Sequence, residues 1–238
     1  MLNRAPRHWA RWLALGLTLA YIPWGFHRFS FHPGAVRPAN PVSRFPLRTR
    51  WVALGFADTV SMPLILNDLA AENDHATFFV TGMNAARQKQ WLAMAKRLGD
   101  DVESHTQGHI NLAVHPYRQD VVDLRKANRA IAHAVGRRPR WLYPPYGAVG
   151  SKVLKAALRV KLRVVLPSVG EWVNADDRTP ADMIHQVLSH VRGGAIIIFD
   201  NPPPAALSWA LPEVLALLSI KGYHVGSVAQ LWRISSLR

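Results

Sequence analysis

Asp101-Val-Glu-Ser-His-Thr-Gln-Gly-His-Ile-Asn-Leu112 is a short β-branched and acidic run that breaks into polar residues. Its two imidazoles, His105 and His109, stand four positions apart. On one helical turn that spacing points both at a single metal ion. Eleven histidines make chance an alternative for this pair alone. The chain on either side decides between the two.

Upstream, Trp51–Phe56 and His75–Val80 read as strands, with helices over Pro63–Ala71 and Asn84–Leu98. Downstream, a long helix is expected from Pro116 to Val135, with Pro at its start and Gly136 past its end. Strands follow at Arg140–Tyr143, Leu162–Leu166, Ala195–Phe199 and His224–Val228. The helices between and after them are Lys152–Leu158, Thr179–Arg192, Ser208–Ile220 and Ala229–Trp232. Repeated strand–helix units predict a parallel α/β sheet or barrel with its site at the C-terminal ends of the strands. Four such ends carry polar or Gly/Pro-rich elements: Gly55-Phe-Ala-Asp-Thr59, the His105/His109 stretch, Tyr143-Pro-Pro-Tyr-Gly147 and Asp200-Asn-Pro-Pro-Pro204. Asp58 joins the two histidines as an N,N,O set that leaves coordination positions open, suited to Zn²⁺ or a similar divalent ion.

Composition sets the limits. In 238 residues, 49% are hydrophobic and 18% charged, which excludes a disordered chain. The absence of cysteine excludes thiolate metal sites and disulfides. The net charge is +14, and seven arginines with no Lys, Asp or Glu fall within residues 1–48, so half of the excess sits in the first fifth of the chain. Residues 1–11 are a basic flank, and 12–29 are an apolar run bordered by Trp24, Phe26 and Arg28. That pattern is expected to be a transmembrane anchor, or a cleaved signal peptide, that meets inner-membrane lipid. Residues 30–49, rich in Pro and Arg, read as a tether, and 50–238 as the folded domain on the extracytoplasmic side. No motif supports a nucleic-acid partner.

Over about residues 50–233 the chain resembles the polysaccharide deacetylase superfamily (NodB homology, carbohydrate esterase family 4). The resemblance lies in Val52–Asp58, His75–Gly82, Val102–Leu112, Arg138–Gly147, Gly193–Asp200 and Lys221–Tyr223. It implies a distorted (β/α)₇ barrel and metal-dependent deacetylation of a polysaccharide of the envelope or one that is exported. The ion would be zinc, with cobalt or nickel as alternatives. The family's metal ligands map to Asp58, His105 and His109, and its substrate-lining positions to Pro145, Tyr146, Trp172 and Ile197. Its general-base position is Ala57 and its general-acid position Phe199. The Arg that holds the base is Tyr143, and the Asp that orients that Arg is lost or replaced by Glu171. Asp200, Glu171 and Tyr143 are the substitute candidates. The resemblance therefore implies either a hydrolase with a rearranged site or a pseudoenzyme that binds glycan or scaffolds an envelope polysaccharide assembly.

Overall fold

Trp-Val-Ala-Leu-Gly-Phe-Ala forms β1 (Trp51–Ala57) at the heart of the sheet, because nearly every side chain along it is buried on one face or the other. The computed structural model describes residues 40–58, 61–169 and 179–237. The other strands are β2 (Thr77–Val80), β3 (Asp101–Ser104), β4 (Trp141–Leu142), β5 (Arg163–Val164), β6 (Ile196–Asp200) and β7 (His224–Gly226). All pairings between them are parallel, in the order β5-β4-β3-β2-β1-β6, and β7 also pairs with β1. The helices are α1 (Met62–Glu72), α2 (Gly82–Ala85), α3 (Lys89–Leu98), α4 (Tyr117–Val135), α5 (Ser151–Arg159), α6 (Pro180–His190), α7 (Pro204–Ile220) and α8 (Val228–Ser236). This is the expected βα alternation, with one difference. The helix anticipated over Asn84–Leu98 is broken into α2 and α3.

Strand alternation sorts the side chains into two layers. Val52, Leu54, Phe56, Phe78, Ile197 and Phe199 face the helices, and Phe56 stacks on both Phe78 and Phe199 at 5.7 Å. Ala53, Ala57, Phe79, Trp141, Tyr143, Ile196 and Ile198 face the inside of the curved sheet. The tether expectation needs correction at its C-terminal end. Val42, Phe45 and Leu47 are buried in the inner layer, and bridges join Val42 to Val165 and Arg44 to Ala195. Residues 42–47 thus lie between β5 and β6, so the folded unit begins before residue 50. Residues 12–29, Glu171 and Trp172 lie outside the described residues. Among the described residues no helix is long and apolar enough to cross a membrane.

Beneath the strand ends lies a buried polar cluster. Glu103, wholly buried, accepts from the backbone N–H groups of Arg140 (2.5 Å) and Trp141 (2.8 Å) and pairs with Arg137 at 3.1 Å. Arg137 also meets Asp101 at 2.9 Å, and Ser227, the N-cap of α8, donates to Asp101. Burial pushes Glu103 up to about 7 against the pull of these donors, and pushes Asp74 and Asp100 up to about 6. The folded state therefore holds these protons more tightly than the unfolded chain. The resulting stabilisation is complete below the unfolded carboxylate range and is lost as pH rises through the folded values. Glu103→Gln removes one such group. Between pH 4.5 and 7.5 the wild type is expected to lose up to about 3 kcal/mol relative to this variant, read from denaturation midpoints across that range. Parallel pH profiles for the two proteins would disprove it.

Candidate metal centre

Both histidines leave β3 in an irregular loop, not on a helix. Thr106 (φ 67°) and His109 (φ 56°) take left-handed backbone, and this tight turn brings the two imidazole rings to 4.9 Å between centroids. The expected helical spacing thus gives way to a turn with the same outcome. Neighbouring elements hold that turn. The Gly82 N–H donates to Thr106 O (2.9 Å), the Met83 N–H to Gln107 O (3.0 Å), and the Gln107 N–H to Asp123 Oδ1 (2.9 Å). Gly82 has to be glycine, since a Cβ there would stand 2.8 Å from the Ala127 backbone and 2.1 Å from the Gln107 side chain.

Asp58 follows β1, and its ligand atom lies within 4.8 Å of those of His105 and His109, with every pair inside that limit. Asp58 Oδ1 and His105 Nε2 are buried and have no hydrogen-bond partner among the described residues. Two such atoms facing one point are costly unless something satisfies both. A zinc-like ion with ligand bonds of about 2.0–2.2 Å would do so. The other ring nitrogen, His105 Nδ1, lies 2.7 Å from Tyr143 O, an outer-shell contact that leaves Nε2 to face the site. Burial pushes the His105 imidazole down, while Asp200, Asp58 and the Tyr143 carbonyl act the other way. The net direction favours the neutral ring that metal binding requires.

Non-glycine residues with positive φ concentrate in these loops: Asp58, Thr106, His109, Tyr146 and Asn201. Strained backbone persists where surrounding contacts over-determine it, and such positions cluster at ligand sites. Tyr146, in a 3₁₀ turn at Pro145–Gly147, sets its exposed ring edge-on to His109 at 5.0 Å. Pro145 is buried beneath it.

The remaining expected positions are redistributed. Ala57 is fully buried beside Phe79 and Tyr143 and offers no proton-transfer group. Ile197 and Phe199 do not line the site. They occupy the helix-covered face of β6, with Phe199 stacked on Phe56, so the expectation that these two positions border the site is corrected. The side chain that β6 turns toward the site is Asp200, the register partner of Ala57. Tyr143 stacks on His105 (5.2 Å, 17°) and its hydroxyl donates to Asp200 Oδ2 at 3.0 Å. Asp200 thus stands beside Ala57 on the neighbouring strand, held by the Tyr143 hydroxyl. The sequence carried a signal for this. The alternation Ile196, Ile198, Asp200 puts Asp200, and not Phe199, on the inner face.

Residues 46–165 match the family model for polysaccharide deacetylase. The uncharacterized protein YlxY of Bacillus subtilis is 26% identical over 218 residues, covering 90% of this chain and 66% of that protein. A peptidoglycan-N-acetylglucosamine deacetylase of Bacillus cereus is 28% identical over 243 residues, covering 93% and 86%. Among solved structures, BA3943 of Bacillus anthracis, a CE4 family pseudoenzyme, matches with a TM-score of 0.75 at 24% identity, over 82% of this chain and 69% of its own. A BA3943 mutant with restored enzymatic activity matches with the same score at 25% identity, over 82% and 72%.

Proposed function

Since this chain belongs to the polysaccharide deacetylase family, we propose that Asp58, His105 and His109 hold a divalent ion, zinc first, and that the site removes acetyl groups from an envelope or exported polysaccharide. Within that reading it favours O-acetyl esters over N-acetyl amides. The observation that supports the preference is the Tyr143–Asp200 hydrogen bond beside Ala57, a position that brings no carboxylate. An ion held here supplies Lewis-acid polarisation and a more acidic water. Asp200 is the carboxylate placed to accept or return a proton, and the Tyr143 hydroxyl fixes its orientation. His105, kept neutral by burial and held by Tyr143 O, and Asp58 orient the centre. An amide needs its nitrogen protonated before it leaves, whereas an alkoxide departs more readily. A site with one proton-transfer group in an altered place therefore handles the ester first.

A binding-only reading draws on one observation. Ala57 is packed into an apolar wall by Phe79 and Tyr143, so β1 contributes no base. Zinc-loaded protein, offered O-acetylated xylan and N-acetylated chitooligosaccharide, separates the two readings. The proposal expects ester release at least about tenfold faster than amide release, a loss of about 10²-fold in Asp200→Asn, and no release above background in His105→Ala. Absence of acetate from both substrates, with glycan binding retained, would leave the binding-only reading standing.

A further inference from the structure

Away from the proposed metal centre, the middle of α4 and the C-terminal end of α5 flank a groove of about 280 Å³ lined by Arg125, Asn128, Arg129, Arg138, Arg159, Val160 and Lys161. It lies at the opposite end of the sheet from the metal ligands. Arg138 precedes β4 and Lys161 precedes β5, whereas Asp58 and His105 follow the ends of β1 and β3. Five cations line it and no carboxylate does. None of the five forms an ion pair among the described residues. The negative end of the α5 dipole accounts for Arg159 and Lys161. It does not account for Arg125 and Arg129, which stand one turn apart within α4 (Tyr117–Val135) and repel each other at that spacing. The walls are tied together, since Asn128 Nδ2 donates to Val160 O at 3.4 Å. The fold thus retains a concentrated positive charge that no ion pair among the described residues offsets.

We propose that this groove binds a phosphate-bearing anionic polymer, independently of the chemistry at the metal centre. Four of the five cations are arginine, whose planar fork matches phosphate oxygens in pairs. They come from α4, the turn before β4 and the end of α5, so the charge is spread over more than one phosphate's reach. No aromatic side chain lines the groove, so bases would find no stacking platform, and a nucleic acid is disfavoured.

Inorganic polyphosphate is the probe, titrated into the full chain in EDTA between 50 and 200 mM salt. Arg125→Glu/Arg129→Glu should bind at least about tenfold more weakly at the lower salt, with a salt slope reduced by about two. Arg87→Glu/Lys89→Glu makes the same change in net charge at two other exposed positions and should weaken binding less than about twofold. Circular dichroism of both variants confirms that they are folded. Equal losses in the two variants would mean that diffuse charge binds the polymer, and the groove proposal would fall. Tighter binding of a single-stranded oligonucleotide of equal charge would overturn the phosphate-polymer assignment in favour of nucleic acid.

Discussion

Ala57→Asp/Tyr143→Arg/Asp200→His is expected to release acetate from acetylated glycan at least about 100-fold faster than the unsubstituted protein, the gain typical of one well-placed proton-transfer group. Each change has a place in the geometry. Position 57 ends β1 on its inner face, next to the proposed ligand Asp58, so a carboxylate there enters the site directly. Alone it would be a buried charge beside Asp58 and Asp200, in the apolar cluster that also holds Phe79 and Tyr143. Arginine at 143 supplies the counter-charge where the Tyr143 hydroxyl now reaches across to β6. Histidine at 200 removes the third carboxylate and puts an imidazole on the face of β6 that addresses the site. The control is the same triple with Phe199→His in place of Asp200→His. That imidazole would enter the helix-covered stack against Phe56, at a cost of about 3 kcal/mol and with no gain in rate. Acetate release and denaturation midpoints of the two triples decide the matter. A fast Phe199→His triple would return the acid position to residue 199.

What the sequence made legible was local. A strand shows in its own β-branched run, and a strand end shows in the polar or Gly/Pro residues after it. Hence the βα order and the set Asp58, His105 and His109 could be assembled residue by residue. What it hid depended on register or on distant backbone. A one-residue shift on β6 exchanges the two faces of a strand, which is how Phe199 stood in for Asp200. The Tyr143–Asp200 hydrogen bond spans 57 positions and leaves no periodic trace. The pairing of His105 with His109 was legible, but the left-handed turn that achieves it was not, because it begins at Thr106, a β-branched residue that rarely takes positive φ. The prolines at 38, 41 and 46 obscured Val42, Phe45 and Leu47, whose burial appears only once β5 and β6 are seen to need something between them.

That last element carries the other large effect expected. Gly194→Ala should destabilise the protein by about 3–5 kcal/mol, out of a total that for most domains is about 5–15 kcal/mol. Gly194 sits at φ +78°, where an L side chain costs about 1–2 kcal/mol before any contact is considered. Its new Cβ would stand 2.0 Å from Phe45 O and 2.9 Å from Phe45 C, which are backbone atoms with no rotamer to change. Relief requires moving the closing segment. That movement strains the hydrogen bonds Phe45 N–H to Gly194 O (2.8 Å) and Gly194 N–H to Trp51 O (2.7 Å). It also loosens the Phe45 ring, which is wholly buried and packs edge-on to Trp141 and Trp232 at 6.4 Å. Phe45→Ala removes the ring without touching the backbone and should cost a similar amount through the cavity it leaves. The proposed metal ligands follow β1 and β3, away from this seam, so zinc affinity of the folded fraction should be unchanged in both variants. Urea denaturation with and without zinc tests these expectations together. The midpoint should fall while the shift on adding zinc stays constant. A loss below about 1 kcal/mol in Gly194→Ala would mean that residues 42–47 lie against β5 and β6 without holding them together.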